Sequence, residues 1–223
     1  YVPMYQINSN CFKVAFNNCR SLHKHFSQVK SEPNILASDV VGFSETRLCS
    51  ADEDNFQLHG YTAIFNHEVS CHLNRRPHHG TALYVKNDYK ITYISKFNNG
   101  SLEFITANVH LSQSRDVQVI VLYKYPSCSL ENFKQHVNTH LKPLTEHQKD
   151  LVLLGDFNFD LFAGHIDFLT FFEKCFKCKQ IVTKATHNTG SQLDLIFTNI
   201  APCATDVIEA YWSDHKMIYC AFE

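Results

Sequence analysis

Nine short apolar runs recur from one end of the chain to the other, and turn-forming residues such as Gly, Asn, Asp and Ser separate most of them. Runs of this length, rich in Val, Ile, Leu, Tyr and Phe, are typical of buried β-strands. Most of the chain must therefore contribute to a system of sheets. The runs are FKVAF, DVVGFS, TALYV, ITYIS, LEFITANVHL, VQVIVLY, LVLLG, LDLIF and MIYCAF.

Two segments between these runs have helical spacing. Apolar residues recur at intervals of three and four from 130 to 141, directly after Ser129, which can serve as an N-cap. The same spacing occurs from 168 to 176. Strands interleaved with helices predict the α/β class, and a two-sheet α/β sandwich flanked by helices fits this pattern best.

Length and composition limit the organisation of the protein. A chain of 223 residues with 44% hydrophobic content can bury one full core, so we expect a single domain over residues 1–223. The sequence does not begin with Met, and we expect it to be a piece of a longer polypeptide.

Nine cysteines, an odd number, leave at least one thiol unpaired and favour a reducing, intracellular location. No apolar run is long enough to predict membrane insertion.

The charge balance limits how the chain can bind a polyanion. It contains 20 basic and 22 acidic residues, a formal net charge of -2, so no cationic field covers its surface. If the ligand is DNA, the attraction must be local or carried by a metal ion. One local cluster is the polar stretch with Cys71, His72, His78 and His79, which also holds Arg75 and Arg76. That stretch is either a metal cluster or, as we favour, an exposed loop that can contact a DNA backbone.

Acidic and amide side chains stand where several predicted strands begin or end. Asp156 and Asn158 follow LVLLG and are two residues apart, which places them on one face. Glu45 follows DVVGFS, and Asp194 opens LDLIF. Taken singly, each residue is better explained by an ordinary turn or an exposed position.

Taken together, these residues indicate chemistry. Asn18 and the segment Ser213-Asp214-His215 stand at further strand ends, so the set contains hard oxygen ligands for Mg²⁺, a candidate base and donors to a phosphoryl oxygen. The sequence therefore predicts a metal-assisted phosphodiester or phosphomonoester hydrolase.

Six segments, taken in order, resemble the signature blocks of the endonuclease/exonuclease/phosphatase superfamily: FNNCRSL, SETRL, LYKYPS, GDFNFDL, THNTGSQLDLIFTN and WSDHKMI. The resemblance runs from about Lys13 to the C-terminus and implies a DNase I-like, four-layered α/β sandwich. The spellings of SETRL and THNTGSQLDL are closest to the apurinic-like endonuclease domains of mobile elements. These are the non-LTR retrotransposons, in particular LINE elements of the CR1 and L2 kind, and some Helitron-type elements.

The resemblance implies a Mg²⁺ cofactor, with Mn²⁺ as a possible substitute. Glu45 would be the principal metal ligand, with Asn18 and Asp214 beside it. Arg20 stands where the family usually has an acidic or amide residue, which implies that one metal contact is replaced by a phosphate contact.

The resemblance also assigns the catalytic groups. Asp156 would activate or orient the attacking water, and Asn158 would help to hold the scissile phosphate. Asp194 would hydrogen-bond His215 and favour its charged form. Two candidates for the base remain open at this point, namely Asp156 and the Asp194–His215 pair.

The substrate contacts are assigned in the same way. Tyr123 would contact the phosphate, with Tyr125 as the alternative because the following Pro stands one place later than in many relatives. Repair-type abasic endonucleases have a large aromatic residue where this chain has Ser191, which favours cleavage of intact duplex. The residues predicted to bind substrate are Arg20, Lys124, Thr186 and Ser191.

The implied reaction is hydrolysis of a DNA phosphodiester to a nick with a 3′-hydroxyl and a 5′-phosphate, for target-site cleavage by a mobile element. The expected partners are DNA and covalently linked reverse transcriptase or helicase domains, and the expected location is the nucleus. Two alternatives remain: a phosphoesterase of the same fold that acts on another phosphate ester, and an inactive DNA-binding derivative.

Overall fold

Two six-stranded mixed sheets face each other in the computed structural model, which describes residues 3–68, 77–112, 115–146, 150–164 and 166–223. The first sheet contains, in spatial order, β11 (Ala204–Ile208), β12 (Met217–Phe222), β1 (Phe12–Asn18), β2 (Val40–Ser44), β4 (Thr81–Lys86) and β3 (Tyr61–Asn66). The second contains β5 (Lys90–Asn98), β6 (Leu102–Ser112), β7 (Arg115–Lys124), β8 (Asp150–Asp156), β10 (Asp194–Thr198) and β9 (Lys179–Gln180).

Helices cover the outer faces of both sheets. They are α1 (Leu22–Val29), α2 (Pro33–Ala37), α3 (Leu130–His136) and α4 (Ile166–Phe176). Short 3-10 helices lie at Met4–Gln6, Ser50–Phe56, Lys142–Leu144 and Leu161–Ala163, and α3 continues as a π-helical turn over Val137–Leu141. In the part of the chain that the structure describes, no helix is both long and apolar enough to cross a membrane.

The central core lies between the two sheets. Strand β7 shows why its run is apolar on both faces: Val119 and Val121 point into the central core, whereas Ile120 and Leu122 point to the outer one. A strand buried on both faces needs a continuous apolar sequence, because no side chain points to solvent.

The outer cores lie under the helices. Leu22 of α1 and Ile35 of α2 pack against the first sheet. Phe133 of α3 and Phe168 of α4 pack against the second. The order of layers is helices, sheet, sheet and helices, which confirms the predicted DNase I-like α/β sandwich.

The strands that the sequence did not predict are all at sheet edges. All nine predicted runs form strands, and the structure adds β3, β9 and β11, each the outermost strand of its sheet. An edge strand packs on one side only and is shorter or more polar, so its apolar run is weaker. The predicted helix over 130–141 forms after the N-cap Ser129, whose hydroxyl accepts a hydrogen bond from Asn132, but its second half has π-helical geometry.

Parallel pairing determines where the polar strand ends meet. β1 pairs in parallel with β2, and β7 pairs in parallel with β8, so these four strands finish at the same edge of the sandwich. β10 and β12 run antiparallel to β8 and β1 and therefore begin at that edge. The polar residues of six strand ends are brought to one place in this way.

Gly155 lies one residue before Asp156 and packs against the β7 backbone. A Cβ at this position would collide with the carbonyl oxygen of Leu122, which is its register partner on β7. We predict that Gly155→Ala lowers the free energy of unfolding by ~3 kcal/mol, because backbone atoms of two central strands cannot move apart easily.

Chemical denaturation measures this loss, and Gly42→Ala provides the comparison. The obstacle at Gly42 is the side chain of Val121, which can adjust, so the loss should be smaller there, about 1 kcal/mol. A Gly155→Ala protein that is as stable as Gly42→Ala would contradict the prediction.

Candidate active site

A buried polar cluster occupies the shared edge of the two sheets. Its members come from different strand ends, and the antiparallel register places Asp194 directly opposite Asp156. Nearly all of these side chains are inaccessible to solvent, although they carry charge or amide groups. The cluster consists of Asn18 at the end of β1, Glu45 after β2, Asp156 at the end of β8, Asp194 at the start of β10 and His215 before β12.

The amide of Asn18 joins the two sheets within this cluster. Its Nδ2 donates hydrogen bonds to Glu45 Oε1 at 2.9 Å and to Asp156 Oδ2 at 2.8 Å. Its Oδ1 accepts a hydrogen bond from the backbone nitrogen of Arg20 at 3.1 Å. In this orientation Asn18 offers amide hydrogens to the carboxylates, and its predicted role on the metal side stays a prediction.

Asp194 and His215 form a buried ion pair. His215 Nδ1 lies 2.9 Å from Asp194 Oδ2. Burial alone would lower the pKa of His215, but the charge and hydrogen bond of Asp194, with Asp156 and Asp214 nearby, raise it to about 9. The ring is therefore a cation at neutral pH, with Nδ1 bound to Asp194.

Asp156 is a carboxylate that titrates near neutrality. Burial raises its pKa, and the charge of Asp194 adds to this effect. His215, Asn18 and the backbone of Asn158 act in the opposite direction, and the pKa is about 7. At the upper end of the neutral range Asp156 can accept a proton while His215 keeps its own.

Tyr123, rather than Tyr125, reaches the carboxylates. The hydroxyl of Tyr123 donates to Glu45 Oε1 at 3.3 Å. Tyr125 instead stacks on His79 with ring centroids 4.0 Å apart, and its hydroxyl lies 3.5 Å from Asn98 Oδ1. The geometry favours the first choice of the sequence analysis.

Two arginines lie against the metal-side carboxylates. Arg47 Nη2 is 3.1 Å from Glu45 Oε2, and Arg20 Nη1 is 3.9 Å from Glu45 Oε1. Arg20 Nη2 also pairs with Asp214 Oδ2 at 2.7 Å. Arg20 thus places a guanidinium between Glu45 and Asp214.

The residues present fit a divalent cation. Asp194 Oδ1 and Asp214 Oδ1 are buried, and among the described residues neither has a hydrogen-bond partner. Unpaired carboxylate oxygens are hard ligands suited to Mg²⁺ or Mn²⁺. Asp156, Asp194 and His215 also bring their ligand atoms within 4.8 Å of one another.

The predicted substrate contacts lie in different places. Arg20 is half exposed, and Ser191 lies in the loop before β10. Lys124 is 3% exposed, and its ammonium group donates a hydrogen bond to the backbone carbonyl of Tyr125. Its predicted contact with substrate stays a prediction. Thr186 is buried, and its hydroxyl accepts hydrogen bonds from the backbone nitrogens of residues 193 and 194, so its predicted contact with substrate stays a prediction.

Part of the polar stretch near residue 75 lies outside the described residues. These are Cys71, His72, Arg75 and Arg76, so neither the metal cluster nor the DNA contact is tested there. His79 is described, and its ring packs on Tyr125 at the side of the cluster. Burial lowers the pKa of His79.

Several residues around the cluster have left-handed backbone conformations. Arg20, Glu45, Arg47 and Asn158 have φ between 48° and 56°, although none is glycine. Such conformations cost of order 1 kcal/mol each and persist where surrounding contacts impose them. Their concentration around one cluster is typical of a functional site and is invisible in the sequence.

Two residues that contact the cluster were not predicted from the sequence. Arg47 belongs to the SETRL segment and binds Glu45. His187 belongs to THNTGSQLDL, and its ring packs at 4.8 Å on the ring of His215. Both residues lie inside a signature segment, which could have marked them as candidates, but only the fold shows what they contact.

A family model described as the endonuclease/exonuclease/phosphatase family matches residues 14–215, which include every residue of the cluster. The chain belongs to this family. No curated protein matches the sequence. The description of this family names nucleases and phosphatases, which are enzymes that hydrolyse phosphate esters.

Three solved structures illustrate the shared fold. A Neisseria 3′ phosphatase bound to a product DNA hairpin has a TM-score of 0.72 and 16% identity, over 95% of this chain and 99% of that one. The endonuclease domain of TRAS1, a telomere-specific non-LTR retrotransposon, has a TM-score of 0.69 and 11% identity, over 96% and 98%. An AP endonuclease from Archaeoglobus fulgidus has a TM-score of 0.71 and 14% identity, over 95% and 99%.

The ion pair predicts how His215 titrates. In Asp194→Asn, the loss of the negative charge removes the main effect that raises the pKa of His215, so this pKa should fall by at least about one unit, or ~1.4 kcal/mol. His215 would then lose its proton at lower pH than in the wild type. NMR of the histidine ring signals in metal-free protein measures the change.

Asp116→Asn is the control, because it removes the carboxylate beside His110, a similar pair outside the cluster. This variant should leave the pKa of His215 unchanged. A folded Asp194→Asn protein in which His215 titrates as in the wild type would show that Asp194 does not set its charge.

Proposed function

We propose that this chain is a divalent-metal-dependent endonuclease that hydrolyses a DNA phosphodiester and leaves a 3′-hydroxyl and a 5′-phosphate. The observation that carries the proposal is the Asp194–His215 pair beside Asp156, which provides a cation and a proton acceptor in one buried cluster. Family membership supports hydrolysis of a phosphate ester. A structural neighbour bound to a DNA hairpin supports DNA as the substrate.

Asp156 would take the proton of the attacking water. A carboxylate with a pKa of about 7 is a stronger base than an ordinary aspartate, yet it is partly ionised at neutral pH. Asn18 and the backbone nitrogen of Asn158 both donate to Asp156 and hold its two oxygens in place. We therefore assign the base to Asp156 rather than to the Asp194–His215 pair.

His215 would stabilise charge on the phosphate. Because Asp194 occupies Nδ1, the Nε2–H of the cationic ring is the group that can donate to a phosphoryl oxygen. Arg20, which is half exposed, adds a second positive group on the same side. These two groups match the negative charge that develops during attack on phosphorus.

Glu45 would hold the metal ion, with Asp214 and Asn18 beside it. A bound Mg²⁺ or Mn²⁺ supplies neutralisation of the charge on the phosphoryl oxygens. Tyr123 and Arg47 both contact Glu45 and keep its carboxylate in place.

We further propose that the chain serves a mobile element as one domain, over residues 1–223, of a longer polyprotein with reverse transcriptase or helicase domains, acting in the nucleus. The spellings of SETRL and THNTGSQLDL support this role. The fold shared with a retrotransposon endonuclease domain is compatible with it. In such an element the 3′-hydroxyl at the nick would prime DNA synthesis.

Glu45 variants test the metal site. Glu45→Ala, and the equal-volume Glu45→Gln, should reduce plasmid nicking at least about a hundredfold, or ~2.7 kcal/mol in activation free energy, and should weaken Mg²⁺ binding. Calorimetry measures the Mg²⁺ affinity, and thermal unfolding checks the fold. The exposed Glu131→Ala should change neither property. Folded Glu45 variants that bind Mg²⁺ as tightly as the wild type would exclude Glu45 as the ligand.

Ser191 predicts the substrate preference. A small hydroxyl in this position supplies little contact area for a flipped-out abasic sugar, which repair enzymes hold against a bulky wall. The wild type should prefer a duplex with an abasic site over intact duplex by under about tenfold in kcat/KM, or ~1.4 kcal/mol.

A competition between the two duplexes, each below KM, measures this preference. A preference of about a thousandfold, roughly 4 kcal/mol, would place the chain with the repair enzymes. Ser191→Trp is a useful second variant, because a bulky side chain that packs against the abasic sugar should raise the preference for the abasic duplex.

A further inference from the structure

We propose that His187, Asp214 and His215 form a second metal site, specific for Zn²⁺ and related transition-metal ions, whose occupation inhibits the nuclease. The three residues come from two loops that an antiparallel backbone bridge between His187 and His215 holds together. The bridge places the two rings edge to face, with centroids 4.8 Å apart. His187 has no role in the proposed hydrolysis.

The spacing of the ligand atoms suits a small cation. His187 Nε2 lies 3.4 Å from Asp214 Oδ2, and the ligand atoms of all three residues lie within 4.8 Å of one another. Tetrahedral zinc with bonds of about 2.0 Å needs ligand atoms roughly 3.3 Å apart. The His187–Asp214 pair already has this spacing, and the third ligand needs to approach by at most about 1.5 Å.

A buried oxygen is available on the carboxylate. Asp214 Oδ2 is shared by Arg20 and His187, but Asp214 Oδ1 is buried and has no hydrogen-bond partner among the described residues. A cation between the two imidazoles would satisfy this oxygen. Arg20 is half exposed and can keep its own contact with Oδ2 or turn to solvent.

Both imidazoles have their other nitrogen engaged. Asp194 Oδ2 lies 2.9 Å from His215 Nδ1. His187 Nδ1 lies 2.7 Å from Thr189 Oγ1 and also accepts a hydrogen bond from the backbone nitrogen of Thr189 at 3.2 Å. Metal-binding histidines almost always donate this second N–H to a carboxylate or another oxygen, which orients the ring. Zinc would therefore displace the Nε2 proton of His215, and it would bind the His187 tautomer that carries its proton on Nδ1 and donates it to Thr189 Oγ1.

The zinc site and the Mg²⁺ side share Asp214 but differ in their other ligands. Two imidazoles and one carboxylate favour zinc, whereas Mg²⁺ prefers oxygen ligands such as Glu45. Three protein ligands leave a fourth position for water or a phosphate oxygen. Zinc bound to His215 Nε2 would remove the group that faces the scissile phosphate, so occupation should inhibit hydrolysis.

The binding test uses Zn²⁺ alone on metal-free protein and does not depend on nuclease activity. Calorimetry should find a zinc site that His187→Asn weakens at least about tenfold, or ~1.4 kcal/mol. His187→Gln serves as a second variant, and thermal unfolding checks both. His110→Asn is the matched control, because His110 pairs with Asp116 but forms no three-residue ligand group among the described residues. NMR should show the rings of His187 and His215 responding together to zinc.

No zinc binding by the wild type, or unchanged affinity in folded His187→Asn and His187→Gln, would overturn the proposal. Resonances of cysteine residues responding in place of the two histidines would overturn it as well.

The inhibition test rests on the proposed function. Zinc added to the Mg²⁺-supported nicking reaction should slow the wild type, and His187→Asn should need at least about tenfold more zinc for the same fractional loss. Equal inhibition of both proteins would refute the inhibitory role. Absence of any nicking would refute the proposed function and leave the zinc-binding measurement to decide the site.

Discussion

The active-site cluster depends on the position of the Asn18 side chain. The two sheets meet through an apolar core, and polar groups at its edge must find partners without water. One amide nitrogen satisfies both Glu45 on the first sheet and Asp156 on the second. This pair of hydrogen bonds links Glu45, the proposed metal ligand, to Asp156, the proposed base. A shift of one sheet relative to the other would break at least one of them.

The second constraint is charge balance. Four carboxylates, those of Glu45, Asp156, Asp194 and Asp214, lie close together at partly or fully buried positions. Arg20, Arg47 and the cationic His215 balance them. Burial and the charge of Asp194 raise the pKa of Asp156, and the neighbouring carboxylates keep His215 protonated, so the two groups of the proposed hydrolysis get their properties from their surroundings.

The sequence predicted the parts of the structure that local pattern determines. Central strands such as β7 and β8 are buried on both faces and carry strong apolar runs, whereas the edge strands β3, β9 and β11 do not. Residues at strand ends, such as Asp156 and Asp194, were found because an apolar run stops or starts beside them. Spacing alone can locate such residues but does not measure their contacts.

Contacts between distant segments could not be predicted from the sequence. Arg47 on Glu45 and His187 on Asp214 depend on loops that only the folded sheets bring together. Thr186 stands in a signature segment, and only the fold shows that its hydroxyl accepts a hydrogen bond from the backbone nitrogen of Asp194. The left-handed backbone of Glu45 follows from the same long-range packing.

The central claim is that this cluster hydrolyses a DNA phosphodiester, and the ends of the nick test it most directly. Supercoiled plasmid is incubated with the wild type and Mg²⁺, with an EDTA reaction beside it, and the nicked product is then treated with DNA ligase. Ligase joins only a 3′-hydroxyl to a 5′-phosphate, so the account predicts Mg²⁺-dependent nicks that ligase reseals directly. An intact plasmid, or nicks that ligase reseals only after a 3′-phosphate is removed, would contradict it.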